Sequence, residues 1–269
     1  CVILLLPLAM VLADTAQILA QADDLHDRGQ YAEAKQAILD ALPSAASGAE
    51  KAELYWRAAR ETLELGDNAE DAKQPAAAIL KFFEEGEGYA NKAIEADPRN
   101  DLGYYWKSSN IGRWGQVKGI LDSLFKAGPM RDLLLKDLSL DPNHPDAYYV
   151  LGQLFRELPG APLSFGNTDA AVSLGRMAVD LRAQAVRSGE EKELSYGYYI
   201  QLAKTLWKRN FTAARRASGQ QKKQAAWQSA TTPLAKGSAY EASVQLPEGT
   251  DREEARQLVA WIIAELSCM

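Results

Sequence analysis

Two cysteines and two histidines in 269 residues leave little material for metal or nucleophile chemistry. A zinc site needs several nitrogen, sulfur or carboxylate ligands brought together, and an activated nucleophile needs a base beside it. His26 follows Leu25 in a helical stretch with no second metal-ligand type four residues on. His144 sits in the tight turn Pro142-Asn-His-Pro145, where a surface histidine is expected. Glycine-rich phosphate loops are missing as well: Gly112, Gly115 and Gly119 have the wrong spacing, and no Lys-Ser/Thr follows. Acidic residues are plentiful, but spacing alone does not bring a carboxylate pair together. The expectation is a protein with no catalytic residues, no metal site and no cofactor.

A basic excess is also lacking. Thirty Lys and Arg against 36 Asp and Glu give a formal net charge of −6, which argues against nucleic acid as a partner. The locally basic stretch from Lys204 to Lys223 reads as the solvated face of a helix. Apolar runs are short. Cys1 to Ala13 carries no charge and contains Val2-Ile3-Leu4-Leu5-Leu6, yet it falls short of the ~20 apolar residues a membrane-spanning helix needs. It fits a signal-peptide core with a small-residue cleavage site after Val11-Leu12-Ala13; the alternative is a buried N-terminal helix. No starting Met or basic segment precedes the run, so a truncated signal over residues 1–13 is expected. Such cleavage leaves Cys268 without a disulfide partner. No lipobox-like Leu-Ala-Gly-Cys ends the run, so lipid anchoring is not supported. The mature chain is then expected over residues 14–269, periplasmic or otherwise exported.

What the sequence does have is repetition. Aromatic dyads recur at Tyr55-Trp56, Tyr104-Tyr105-Trp106, Tyr148-Tyr149 and Tyr198-Tyr199, each opening an alanine- or leucine-bearing helical stretch. Repetition at a period of a few tens of residues is the mark of a solenoid. Ala90–Pro98 and Leu133–Pro142 both close on Asp-Pro, a stop signal because proline cannot continue a helix. Asp101 and Asp146 then stand near the positive N-terminal end of the next helix. Thr250 followed by Glu253 forms a capping-box pattern. Ala255, Leu258, Val259, Ile262 and Leu266 fall on one face behind it, so a C-terminal capping helix is expected over 250–267. Gln220 to Leu246 is irregular and its fold is left open. The chain is long enough for one elongated domain or two compact ones.

On these residues the chain resembles tetratricopeptide repeats. The clearest unit has Tyr148, Leu151-Gly152 and Phe155, then Ala171, Leu174 and Ala178; others keep Gly29, Tyr31, Ala34, Ile38 and Ala41, or Ala93, Ile94 and Pro98. The resemblance implies an all-α, tetratricopeptide-type helical-hairpin solenoid. Its units exceed the regular ~34 residues, with the extra length in Gly115–Met130 and Pro159–Asn167, so the repeats are elongated and irregular. Asn167 or Thr168 would cap the helix that follows. Tyr104–Ile111, Leu151-Gly152 with Pro159-Gly160 and Phe165-Gly166, and Ala170–Leu181 resemble a narrower group. That group is the tetratricopeptide-like T component associated with TRAP transporters, a periplasmic partner of a solute-binding protein. The same features are similar to the regulator-of-microtubule-dynamics proteins of animals. The resemblance covers Ala49 to Leu206, and an export signal favours the first of the two.

Adjacent helical residues point about 100° apart, so both members of a dyad cannot enter one core. In tetratricopeptide arrays the first helices line the concave surface. With Tyr104 and Tyr148 inward, Tyr105 and Tyr149 face that groove, and by the shared dyad Tyr55 and Tyr199 are expected there too. Tyrosine offers apolar area and a hydroxyl at low entropy cost. Ser109, Gln153, Arg113 and Arg156 follow about one turn on and would share the groove, either arginine able to grip a carboxylate bidentately. The row is either a binding surface or packing, and the arginines either grip a ligand or are solvated. The leading expectation is a partner-docking scaffold, with a solute-binding protein as partner and with homo-oligomers. The alternatives are a carrier holding a small apolar or amphipathic ligand in a helical cavity, and a hydrolase whose site assembles in space.

Overall fold

The computed structural model describes residues 15–119, 123–191, 193–240 and 248–268. The expected signal segment 1–13 therefore lies outside the described residues, as does part of the irregular stretch before Leu246. The protein is 81% helical, with twelve α-helices and no strand among the described residues. None of these helices is long and apolar enough to cross a membrane. The chain divides into two compact units, Cys1–Trp106 and Lys107–Met269.

The first unit opens with a hairpin of α1 (Thr15–Asp27) and α2 (Tyr31–Ala41), followed by the long pair α3 (Gly48–Asp71) and α4 (Ala76–Ala96). Ser47 starts α3 by accepting from the Glu50 amide at 3.1 Å, which satisfies one of the orphan donors of the first turn. Ala22, Ile38, Leu54 and Ala58 are fully buried where three of the helices meet. Gly66 lets α3 and α4 touch: a Cβ there would stand 2.6 Å from the Phe83 ring. As the Asp-Pro signal predicts, α4 stops at Asp97.

α5 (Asp101–Lys118) follows, with Met130 beside its later turns: the Ser108 hydroxyl donates to the Met130 carbonyl at 3.3 Å. In the second unit, α6 (Ala127–Leu140) ends at Asp141, before Pro142, and α7 (Pro145–Glu157) and α8 (Thr168–Ser188) form the clearest repeat. Tyr148, Leu151, Ala171, Leu174 and Ala178 are each at most 1% exposed, so the residues that carried the tetratricopeptide resemblance are the hairpin's core. Asn167 caps α8, its side-chain oxygen accepting from the Asp169 and Ala170 amides at 3.0 Å each. Gly189, at φ +80°, takes the left-handed conformation that closes the helix. The loop before α8 is tied down, with the Phe165 ring 5.2 Å from that of Phe155.

α9 (Tyr196–Arg209), α10 (Ala213–Ser229), α11 (Pro233–Ala239) and α12 (Asp251–Ser267) complete the unit. α10 and α11 fill most of the stretch left open from sequence. Both bonds of the capping box are made at α12, where Thr250 accepts from the Glu253 amide and Glu253 accepts from the Thr250 amide. The helix places Ala255, Leu258, Val259, Ile262 and Leu266 on one face as expected. Ala255 and Ile262 are buried, while Val259 is 43% exposed and Leu266 52%. α12 packs chiefly on α9.

Candidate partner-binding surface

Three of the four dyads are split by the fold. Trp56, Tyr148 and Tyr198 are buried, while Tyr55, Tyr149 and Tyr199 are half-exposed. The fourth is not split: Tyr104 and Tyr105 are both half-exposed. Tyr104 donates to the Pro98 carbonyl at 3.1 Å, and Tyr105 meets the edge of Trp106 at 5.1 Å. The inward place expected for Tyr104 is therefore taken only in part, because its hydroxyl is drawn to the Asp-Pro turn.

In the first unit Tyr55 belongs to a ladder of cations and rings. The Lys92 ammonium lies 5.7 Å from the Tyr55 ring and 5.4 Å from that of Tyr89, and Lys35 sits 5.4 Å from the other side of the ladder at Tyr89. Lys35 pairs with Glu85 at 2.8 Å, and Tyr89 donates to the same carboxylate at 3.1 Å. Burial, with the Glu85 charge and hydrogen bond, pushes the Tyr89 phenol up to about 12. These contacts fix the rings of α3 and α4 in place without hiding them.

In the second unit Tyr149, Gln153 and Arg156 lie along α7 against α9. The Tyr149 ring stands 4.9 Å from Tyr198, and Gln153 follows one turn on along the same helix. Burial raises the Tyr149 phenol above its ordinary value, with Arg156 and Gln153 working against the rise. Arg156 is not held open for a ligand. It is buried, shares the Glu157 carboxylate at 2.8 Å, and points at the Gln201 carbonyl and Thr205 hydroxyl at 3.4 and 3.5 Å. Tyr199 turns to α12, its ring 5.0 Å from Trp261. Ser109 and Arg113 are one turn apart on α5, half-buried, with Arg113 donating to Gln116.

The sequence missed the charged groups that the fold buries. His144 is 9% exposed rather than on the surface, because its Nδ1 bonds the fully buried Asp137 at 2.9 Å across the Asp-Pro turn. The Tyr198 hydroxyl donates to Asp146 on the next turn. His26 bonds the fully buried Glu61 at 2.9 Å, and Arg60 meets the other Glu61 oxygen at 2.8 Å. The basic stretch is not simply a solvated face either. Arg209 and Arg216 are buried and both pair with Asp251, itself fully buried at the start of α12. Arg209 closes α9 and Arg216 lies in the first turn of α10, and nothing local marks a carboxylate 35 residues downstream as the partner.

Comparison with solved structures shows the fold. A thermophilic TPR protein of Thermus thermophilus is 14% identical, with a TM-score of 0.53 over 86% of this chain and 100% of its own. The MamA RS-1 ArsTM double mutant is 13% identical, with a TM-score of 0.44 over 91% of this chain and 97% of its own. Among curated proteins, none matches this chain in sequence. The family model "Regulator of microtubule dynamics protein 1-3" matches residues 18–159, a span from within α1 to just past the end of α7. Those residues are more than half of the chain, and the protein belongs to the regulator of microtubule dynamics 1-3 family.

Proposed function

We propose that this protein is a helical-repeat scaffold that docks a partner protein through the half-exposed Tyr149 of its second unit, the first unit presenting Tyr55 and Tyr105 as a surface of its own. The carrying observation is Tyr149, whose half-exposed ring is braced at 4.9 Å by the ring of Tyr198. A tyrosine held in one rotamer loses little entropy on binding, and an aromatic anchor of this kind is what binding surfaces concentrate energy in.

The partner we propose first is the solute-binding component of a TRAP-type uptake system, outside the cytoplasm. The uncharged run Cys1–Ala13 and the resemblance over Ala49–Leu206 support it. Immobilised protein should capture such a component from periplasmic extract, and Tyr149→Ala should lower the capture severalfold. Recovery of no partner, with no self-association of the purified protein, sinks the scaffold reading. The family match favours a second partner, polymerised tubulin. Co-sedimentation with microtubules decides: pelleting that Tyr55→Ala and Tyr149→Ala abolish supports it, and a protein left wholly in the supernatant removes it.

A further inference from the structure

A second surface lies outside the family-matching segment. From Leu194 to Tyr240 the chain has no Asp or Glu, while it carries eight Lys and Arg. Against a whole-chain charge of −6, this is a strongly cationic stretch, and only part of it is neutralised internally. Arg209 and Arg216 pair with Asp251, and Lys223 with Asp169.

Two stripes meet where α9 packs on α12. On α9, Ile200, Lys204 and Trp207 follow one another at helical spacings of four and three and are exposed; Ile200 is at 40% and Trp207 at 43%. On α12, Arg252, Arg256, Val259 and Ile263 share a face by the same spacing, with Val259 43% and Ile263 59% exposed. The stripes are joined by Trp207, over whose ring Arg252 and Arg256 lie at 4.9 and 5.3 Å. The result is a branched-aliphatic and indole strip bordered by three cations, with no carboxylate from α9.

We propose that this strip docks an acidic amphipathic helix of a partner protein. Ile200, Val259 and Ile263 would take the partner's apolar ridge, as in helix-in-groove recognition. Lys204, Arg252 and Arg256 would meet carboxylates along its flanks, giving orientation and a salt-dependent on-rate. Exposed branched aliphatics favour a peptide over nucleic acid, whose bases would call for stacking faces along a basic track. The surface is separate from the tyrosine row, so either can fail without the other.

The test uses the full chain and a synthetic probe of about 18 residues, with Leu at helical spacing and Glu elsewhere. Its controls are a scrambled peptide of equal composition, single-stranded DNA, and vesicles of phosphatidylserine and phosphatidylcholine. Fluorescence anisotropy should show binding of the patterned peptide that Ile263→Glu and Trp207→Ala each weaken by about tenfold or more. Arg252→Glu with Arg256→Glu should weaken it and flatten its salt dependence. Circular dichroism of each variant reports its folding, and Ile263, being mostly exposed, separates lost binding from lost structure. Equal binding of the scrambled peptide, tighter binding of DNA or vesicles, or an unaffected Ile263→Glu variant overturns the proposal. So does a wild-type dimer that Ile263→Glu dissociates, since the occupant is then a second copy.

Discussion

The ring of Tyr149 rests 4.9 Å from the ring of Tyr198, tilted by 43°. The half-exposed member of one dyad thus leans on the buried member of the next, so Tyr198 both fills a core and braces the outward ring of Tyr149. Tyr198 is held in turn by its bond to Asp146 and by the Arg182 guanidinium 5.9 Å above the ring. The outward tyrosine of α7 is therefore positioned from α9.

That contact predicts energetic coupling. Tyr198→Ala should destabilise the second unit by about 3 kcal/mol or more, in the range of large buried aromatics truncated to alanine. Tyr149→Ala should cost less, about 1–2 kcal/mol. The double variant should fall short of the sum by about 0.5–1.5 kcal/mol, the usual worth of an aromatic pair. Urea unfolding of the four proteins measures the cycle, and strict additivity would show that the rings do not brace each other.

Asp251 predicts a larger loss. Its carboxylate answers two buried guanidiniums, Arg209 at 2.7 Å and Arg216, and also accepts from the Phe211 amide at 2.9 Å. Asp251→Asn removes the carboxylate the two guanidiniums share, leaving Arg209 to the part-exposed Asp169 at 3.1 Å and Arg216 to Glu254 at 3.7 Å and the Gly249 carbonyl at 3.1 Å, and should cost about 3 kcal/mol. Because these bonds tie α12 to the end of α9, amide exchange should accelerate first over Asp251–Ser267. Replacing Glu253, the exposed residue that completes the capping box, should cost only about 1 kcal/mol. Equal losses from the two would mean that the buried ion network adds nothing beyond the cap.

What could be read from the chain follows from what is local. Asp-Pro stops, the Thr250–Glu253 cap and the Asn167 cap are contiguous signals, and each is in place. The repeat positions were legible because helical spacing puts Tyr148 with Leu151 on one face of α7, and Ala171 with Leu174 on one face of α8. The site was less legible. Arg156 has the same spacing from Tyr149 as a groove residue would, yet it is drawn into the interface with α9 by two acceptors more than 40 residues away. His144 was misread for the same reason: Asp137 precedes it by seven residues across a turn, and only the closed turn brings the pair together. The division into two units at Trp106 falls inside a continuous helix, where no linker composition announces it.

Asp23 links the first unit to acid. Burial would raise its carboxyl, but hydrogen bonds and charge from Arg57, then Arg60, outweigh burial and hold it below the ordinary value of 3.8. A carboxyl whose folded pKa is depressed adds stability above its unfolded pKa, and loses that contribution as pH falls through the folded one. Asp23→Asn should therefore lower stability at neutral pH and converge on the wild type in strong acid. Thermal melts between about pH 7 and pH 2 test it, and a gap that persists unchanged into acid would show that the loss is one of packing.

Glu64 should do the reverse. Burial raises its carboxyl above the ordinary 4.5, the nearby Asp67 and Glu61 charges add to the rise, and His26 and Arg60 oppose it. With the folded pKa above the unfolded one, the folded state holds the extra proton, so stability falls as pH climbs from the unfolded value through the folded one. At neutral pH the ionised Glu64 is a burden. Glu64→Gln keeps the shape, removes two like-charge contacts at helical spacing worth about 0.2–0.5 kcal/mol each, and should stabilise the first unit by roughly their sum. The gain should shrink as pH falls through the raised folded value and be lost below the unfolded value of 4.5, where the carboxyl is neutral in both states. Chemical unfolding of both proteins at neutral and acidic pH decides the matter. A variant that is less stable than the wild type at pH 7 would mean that Glu64 is held by its opposite charges after all.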